Sequence, residues 1–364
     1  MPSRTRNTEF AVVDGWRVAV RKKEFNVGDL VVYCEIDSFL PQANPAFWEY
    51  CYSGNLYELD GELGYAVKTK VFDYHISQGL VFPLNTFSVV VNVKQKLEKE
   101  YPPTEAVKRL MEVDFAPMLG VRKCEDEFHH PAASYGHSPM FFPQPGCERA
   151  QNIVNLFELY GKTEFQITEK IDAVPMTVYY VDEDSEWHAE LKRVAGQEHP
   201  NRPNFGVCGR TEDYIEDNNS IFWRVAREER IIEKLVRHQR RNVAVQGELC
   251  GSSIIRNSMG FDEGTHRFYV FRIFDIGKQK WYPVGQCRNV CIGNGLMHAP
   301  ILDRLLLEHF ARDMEDLIVR AEGRGVNGRR REGIVFTTKD NSFSFKVIAN
   351  NWLLKWGQEK VYQW

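Results

Sequence analysis

Hydrophobic and polar positions alternate regularly in the stretch Thr163 to Tyr180, TEFQITEKIDAVPMTVYY. Phe165 and Ile167 alternate with Thr163, Glu164, Gln166 and Thr168, and Val178, Tyr179, Tyr180 and Val181 resume a β-branched and aromatic run further on. This pattern predicts two strands meeting at a break. The break carries Glu169, Lys170 and Asp172, and an extended backbone would place Lys170 and Asp172 on one face. Taken alone, a Lys-x-Asp pair reads as a surface ion pair of little energetic worth. A lysine whose pKa is lowered by partial desolvation or a neighbouring cation is instead a nucleophile, and the rest of the chain decides between the two.

Short strands are expected at Trp16 to Val20, Leu30 to Ile36 and Gly64 to Val71, separated by NVGD and by the loop after Pro41, a spacing that suits a small antiparallel barrel. From Tyr65 to Val71, Lys68 and Lys70 alternate with Val67, Thr69 and Val71, so one strand face would meet either a phosphate backbone or solvent. Residues 89–145 contain KQKLEKEYPP, EFHHPAASYGHSP and FFPQPG and read as a linker, with one short helix in KRLMEVDF. His129 and His130 have no cysteine or carboxylate partner at ligand spacing and read as solvated loop residues. Three domain segments follow: an OB-like barrel over 1–88, the linker over 89–145 and a larger domain over 146–364.

In that larger domain, Ile153, Leu156, Phe157 and Tyr160 recur at helical spacing, with Gly161 as a stop. Ile221 to Asn242 reads as one long amphipathic helix with Ile221, Phe222, Val225, Ile232, Leu235 and Val236 inside and its arginines solvated. Ile301 to Ala321 reads as another helix. VAVQGELCG delivers Glu248, RFYVFRIFDI is an aromatic strand, GRRREGIVFTT sets Glu332 at the mouth of a strand, and SFSFKVI sets Lys346 near the end of the last.

The 364 residues, 43% hydrophobic and 26% charged, suffice for more than one core. Eight scattered cysteines without paired CxxC elements point to a reducing compartment rather than a disulfide framework or zinc site. A net charge of −4 means that nucleic acid would have to be met by local basic surfaces. No apolar run approaches a membrane span, and MPSRTRNTEF lacks a signal-peptide core, so an intracellular, cytoplasmic or nuclear location is expected, an organelle remaining open. No obligate protein partner is evident.

Lys170, Arg210, Glu248, Phe271, Glu332 and Lys346 come from separate elements, and all but Arg210 lie in or beside an expected strand. An antiparallel sheet bringing them together would hold a nucleophile, cations for a triphosphate, carboxylates for a divalent metal and an aromatic ring for a base, the parts phosphoryl-group chemistry needs. No G-x-x-x-x-G-K-[ST] loop is present, which excludes a P-loop enzyme.

Six segments occur in order: EKIDAVPMTV, VCGRTEDY, QGELCGSSIIRN, FYVFRIFDI, REGIVFTT and SFKVIANNWLLK, preceded by GWRVAVRKKEFNVGDLVVYCEIDSFLP. In these the chain resembles, over nearly its whole length, the covalent nucleotidyltransferases of the RNA ligase type, most closely the nick-sealing Deinococcus-type ligases with an N-terminal OB domain. The resemblance implies an α+β fold: an OB-like β-barrel, with or without its first strand, then a nucleotidyltransferase domain of antiparallel sheets flanked by helices. It implies ATP-dependent sealing of RNA 5′-phosphate and 3′-OH ends through a lysyl-AMP and an RNA-adenylate, with Mg2+ or Mn2+, on a substrate such as a nicked duplex with an RNA 3′-OH strand. Lys170 would carry AMP, Glu169 would lie near adenine, and Asp172 would support the lysine or the metal. Arg210 is the arginine of the following motif, Glu248 would contact ribose, Phe271 would stack on the base, Glu332 would bind metal and Lys346 would contact phosphate. Ile348 occupies the second lysine position of the last motif, which leaves Lys355, further on, as its candidate.

Two positions depart from the family pattern. Ala173 stands where the family has glycine, which would allow close backbone approach or a positive φ. The polar MPSRTRNTEF leaves room for a missing first barrel strand, hence for an open edge in a truncated or alternative product. These departures keep a catalytically weak or silent RNA-binding relative as an alternative; a capping guanylyltransferase or DNA ligase is the other, against which the motif spellings and OB placement stand.

Overall fold

The computed structural model describes residues 7–53, 56–72, 74–124, 133–195, 199, 201–239 and 242–356. The chain divides into two compact units, Met1–Glu127 with Leu353–Glu359, and Phe128–Trp352 with Lys360–Trp364.

In the first unit a strand does precede Trp16: Thr8–Val13 pairs antiparallel with Trp16–Arg21, using TEF from the polar N-terminus. Trp16, Val18 and Val20 point inward at every second position, as alternation requires, and join Phe39, Leu40, Phe47, Phe82 and Phe87 in a buried core. Val31–Cys34 pairs with Leu80–Pro83, and Ser38–Pro41 lies between Arg122–Lys123 and Glu62–Ala66. The single strand expected over Gly64 to Val71 is instead two, Glu62–Ala66 and Lys70–Phe72. Between them the Val67 carbonyl accepts from Asp37 N at 2.8 Å, where Asp37 turns the chain with φ 69°. Lys68 consequently sits outside any strand, 3.9 Å from Asp37, and shares no strand face with Lys70.

Much of the stretch read as linker is helical: Ser88–Glu100 and Pro103–Met111 bury Val90, Ala106 and Leu110. The polar runs therefore do carry an apolar face, and Pro103 occupies the first helical turn, where a missing N–H costs nothing. His129 and His130 lie outside the described residues. No helix among the described residues is long and apolar enough to cross a membrane.

Among its described residues the second unit holds two sheets. The larger runs in the order Ser134–His137, Glu212–Tyr214, Phe205–Cys208, Val174–Tyr180, Val243–Gly251, His266–Asp275, Lys280–Trp281, with Met297–His298 also beside His266–Asp275. The other runs Glu148–Arg149, Ser344–Ile348, Gly333–Thr338, Glu164–Lys170, Ile301–Leu306. The break after Lys170 is thus a change of sheet: Lys170 ends a strand of the five-stranded sheet and Val174 starts one of the larger. Val174, Met176 and Val178 face a core with Phe222, Trp223, Val225 and Leu235, while Phe165 and Ile167 face another with Phe336, Phe345 and Leu307.

Two helix expectations change. The long helix from Ile221 is broken into Ile221–Glu228 and Ile231–Gln239, with Arg230 at a positive φ of 54° between them. Ile301–Leu306 is a strand along the edge of Glu164–Lys170, followed by the short helices Leu307–Phe310 and Met314–Ala321. The open edge of the lysine strand supplies hydrogen-bond partners that a helix would forgo, and Asp313 starts the helix Met314–Ala321 by accepting from Asp316 N at 2.8 Å.

Candidate active site

One pocket takes its walls from both sheets. Gln166, Thr168 and Lys170 line it from alternate positions of one strand, joined by Val335 and Thr337 from the strand beside it and by Ser344 and Lys346 from the strand beyond that. Pro175, Glu248, Phe271 and Arg272 line it from the larger sheet. Arg210 reaches it from the turn after Phe205–Cys208, which Gly209 N closes onto Glu212 O at 2.9 Å. Lys170, Arg210, Glu248, Phe271, Lys346 and Glu169 thus converge as the sequence suggests, but on two sheets rather than one.

Lys170 is opposite Gly333 in the strand register, so the residue before Gly333 is brought to its side: Lys170 Nζ lies 2.7 Å from Glu332 Oε2. Burial alone would lower the lysine pKa, but the charges of Glu332, Glu248 and Asp172 outweigh it and hold the pKa above the ordinary lysine value. This reverses the lowered pKa expected of a nucleophilic lysine. Asp172 does not pair with Lys170; its Oδ1 is 3.7 Å from Arg256 Nη1. Burial, reinforced by Glu332, pushes the Asp172 carboxyl up to about 6, against Arg256 and Lys170. Burial likewise pushes Glu248 up to about 7, with Lys170 and Arg210 opposing and Glu332 reinforcing. Asp172 Oδ2 and Glu248 Oε2 are buried without a hydrogen-bond partner. These carboxylates crowd one another and leave acceptor capacity unused, which suits a cation held there. Among the described residues no three His, Cys, Asp or Glu side chains gather closely enough to cage a metal unaided.

Glu169 lines the pocket, yet its carboxylate is turned toward the 325–326 turn: Val326 N donates to Oε2 at 3.0 Å, and a Cβ on Gly325 would collide with the carboxylate. Burial raises its pKa against Val326 N–H and Arg331. Ala173 does not have a positive φ, and it packs beside Ile171, Cys250 and Tyr269. Lys355 is exposed on the helix Asn350–Trp356 and does not line the pocket.

Phe271 owes its position to a β-bulge. Gln246 pairs with Arg272 and Gly247 with Val270, so Phe271 is the extra residue, and Phe271 and Arg272 both reach the pocket. Arg272 was not singled out in the sequence, although it adjoins Phe271 in FYVFRIFDI. Its guanidinium lies 4.4 Å from the Trp281 ring centre and donates to Gly146 O at 2.9 Å. Gln246 and Gln279 donate to Pro143 O at 2.7 Å and Phe141 O at 3.0 Å. Three side chains thus tie down the segment whose Pro145, Gly146 and Cys147 complete the pocket. Arg256 also went unremarked; it belongs to QGELCGSSIIRN, and only the folded loop shows that it meets Asp172. That loop is strained, with Ile255 and Asn257 at φ 44° and 43°.

Residues 163–348 match the RNA ligase family, and residues 4–84 match an OB-fold domain. No curated protein matches the chain. Among solved structures, an apo aspartate-to-alanine variant of Naegleria gruberi RNA ligase is 29% identical, with TM-score 0.81, covering 98% of this chain and 95% of that one. A lysine-to-alanine variant of that enzyme with ATP and Mn matches with 29% identity and TM-score 0.81, covering 98% and 96%. A lysine-to-methionine variant with AMP and Mn matches with 28% identity, TM-score 0.81 and the same coverage.

Proposed function

The chain belongs to the RNA ligase family and is an ATP-dependent RNA ligase, and we propose that Lys170 is the residue that takes up AMP. The observation that carries this reading is the convergence of Lys170, Glu248, Arg210 and Lys346 on one pocket from four chain segments, with Glu332 paired to Lys170. The ammonium of Lys170 first gives up a proton to solvent, and Nζ attacks the α-phosphorus of ATP; the N–P bond forms as a second proton leaves nitrogen, the bond to the β-phosphate oxygen breaks, and pyrophosphate leaves with its electron pair. An oxygen of an RNA 5′-phosphate then attacks the same phosphorus and releases the lysine amine. Finally an RNA 3′-OH, losing its proton, attacks the 5′-phosphorus and expels AMP. Arg210 and Lys346 face the phosphate charge, Phe271 stacks on adenine, Glu248 takes a ribose hydroxyl and Glu169 stands by the adenine edge.

Glu332 and Asp172 would hold a divalent ion, Mg2+ or Mn2+, whose charge would offset the carboxylates that keep Lys170 protonated and the negative charge developing on phosphate. Sealing of a nicked duplex with an RNA 3′-OH strand is proposed as the physiological reaction, in the cytoplasm or nucleus, where the free cysteines would stay reduced. Incubation with α-labelled ATP tests the assignment. Label should appear on the protein with Mg2+ or Mn2+, with ATP rather than GTP, and be absent from Lys170→Ala. A labelled Lys170→Ala would move the nucleophile elsewhere.

A further inference from the structure

Directly ahead of Glu332 the chain makes a tight excursion, Gly323 to Arg331, with the sequence GRGVNGRRR and no acidic residue. Its backbone is ordered by its own hydrogen bonds: Gly325 N to Arg329 O at 2.8 Å, Gly328 N to Gly325 O at 2.9 Å and Arg331 N to Gly323 O at 3.2 Å. Gly323 and Gly328 adopt φ of 140° and 75°, which ordinary residues resist. Outside contacts hold it in place. Val326 N bonds the Glu169 carboxylate, Asn327 Nδ2 donates to Met259 O at 2.9 Å, and the Arg329 guanidinium lies against Gly260.

The four arginines have different tasks. Arg331 is half-buried and donates to the carbonyls of Arg320, Ala321 and Glu322, closing the end of the helix Met314–Ala321. Arg324, Arg329 and Arg330 are exposed, and among the described residues no carboxylate pairs with them. Arg324 and Arg330 face each other across an antiparallel bridge. Like charges placed directly opposite are destabilising; Arg324 Nη1 donates to Gly328 O, and among the described residues no carboxylate offsets the pair. A rigid, uncompensated cationic turn is the counterpart of a polyanion.

Its location says which polyanion. The turn leads into Glu332 and touches Glu169, so it flanks Lys170, but none of its arginines lines the nucleotide pocket, whose cations are Arg210, Lys170, Arg272 and Lys346. We propose that Arg324, Arg329 and Arg330 bind the phosphodiester backbone of the RNA whose end is presented to Lys170. The inference rests on the reading of Lys170 as the adenylylated residue.

The test replaces the three together, Arg324→Ala, Arg329→Ala and Arg330→Ala, in the full chain, beside a triple arginine-to-lysine variant. Single-turnover adenylylation by α-labelled ATP should stay within about twofold of the parent, which also reports folding. Binding of a labelled nicked RNA duplex should weaken at least tenfold, and the slope of log affinity against log salt should fall by up to about three, roughly one per lost phosphate contact. The lysine variant should keep most of the slope. Unchanged RNA affinity and slope would overturn the proposal. So would a raised KM for ATP with RNA binding intact, which would give the arginines to the triphosphate. A parent protein that binds RNA with the expected slope but takes no label would instead fault the reading of Lys170.

Discussion

Lys170 and Glu332 form an ion pair, Nζ to Oε2 2.7 Å, because Lys170 ends one strand and Glu332 immediately precedes the strand that pairs with it. Lys170 therefore meets a carboxylate that keeps it protonated until a cation competes for that carboxylate. Glu332→Ala should depress adenylylation on the order of a hundredfold, since developing phosphate charge loses a stabilising partner. Single-turnover label transfer at saturating ATP measures this. An unchanged rate would remove Glu332 from the chemistry.

The buried carboxyls give a pH dependence with a defined sign. Burial raises Asp172 to about 6 and Glu248 to about 7, so both persist in the uncharged form further toward neutrality than ordinary carboxyls. An ion held by Asp172 requires that carboxyl ionised, and ionised Glu248 nearby adds charge that draws the ion, so protons compete with it below those values. The Mn2+ concentration for half-maximal adenylylation should fall as pH rises from 5.5 to 7.5 and level off above. A requirement independent of pH over that range would contradict the assignment of Asp172 to the ion.

Ala173 replaces the family's glycine without a positive φ, and its methyl lies against a small apolar cluster. The strain that glycine would relieve is absent here. Ala173→Gly should therefore change adenylylation by no more than severalfold, and should lower stability by roughly 0.5–1 kcal/mol through added unfolded-state freedom. Denaturant titration and label transfer together check both parts. A large gain in rate would show that the methyl obstructs the nucleotide.

Arg272 fixes the wall of the pocket through Gly146 and stands beside Phe271. A hydrogen bond from a charged donor contributes about 1.5–3 kcal/mol, so Arg272→Ala should raise KM for ATP about tenfold or more while affecting kcat less. Arg272→Lys should recover part of the loss. Equal losses in kcat and in kcat/KM would instead mean that the guanidinium acts in the transition state.

Local pattern carried the strands around Lys170, the aromatic strand and the order of the motifs, because alternation and residue type report which face a strand buries whatever it pairs with. Of the residues singled out in the sequence, Lys170, Arg210, Glu248, Phe271 and Lys346 line one pocket. Other features needed the fold. Strand register decides that Lys170 meets Glu332 rather than Asp172, and register depends on pairing between distant segments. A bulge opposite Gln246 and Gly247 turns Phe271 and Arg272 to the same side, which no period-two reading of FYVFRIFDI contains. Ile301–Leu306 became a strand because the edge beside it was open, overriding a helical pattern. The lysine pKa was misjudged for the same reason: sequence shows which charges exist, but their balance against burial depends on distances only the tertiary structure sets.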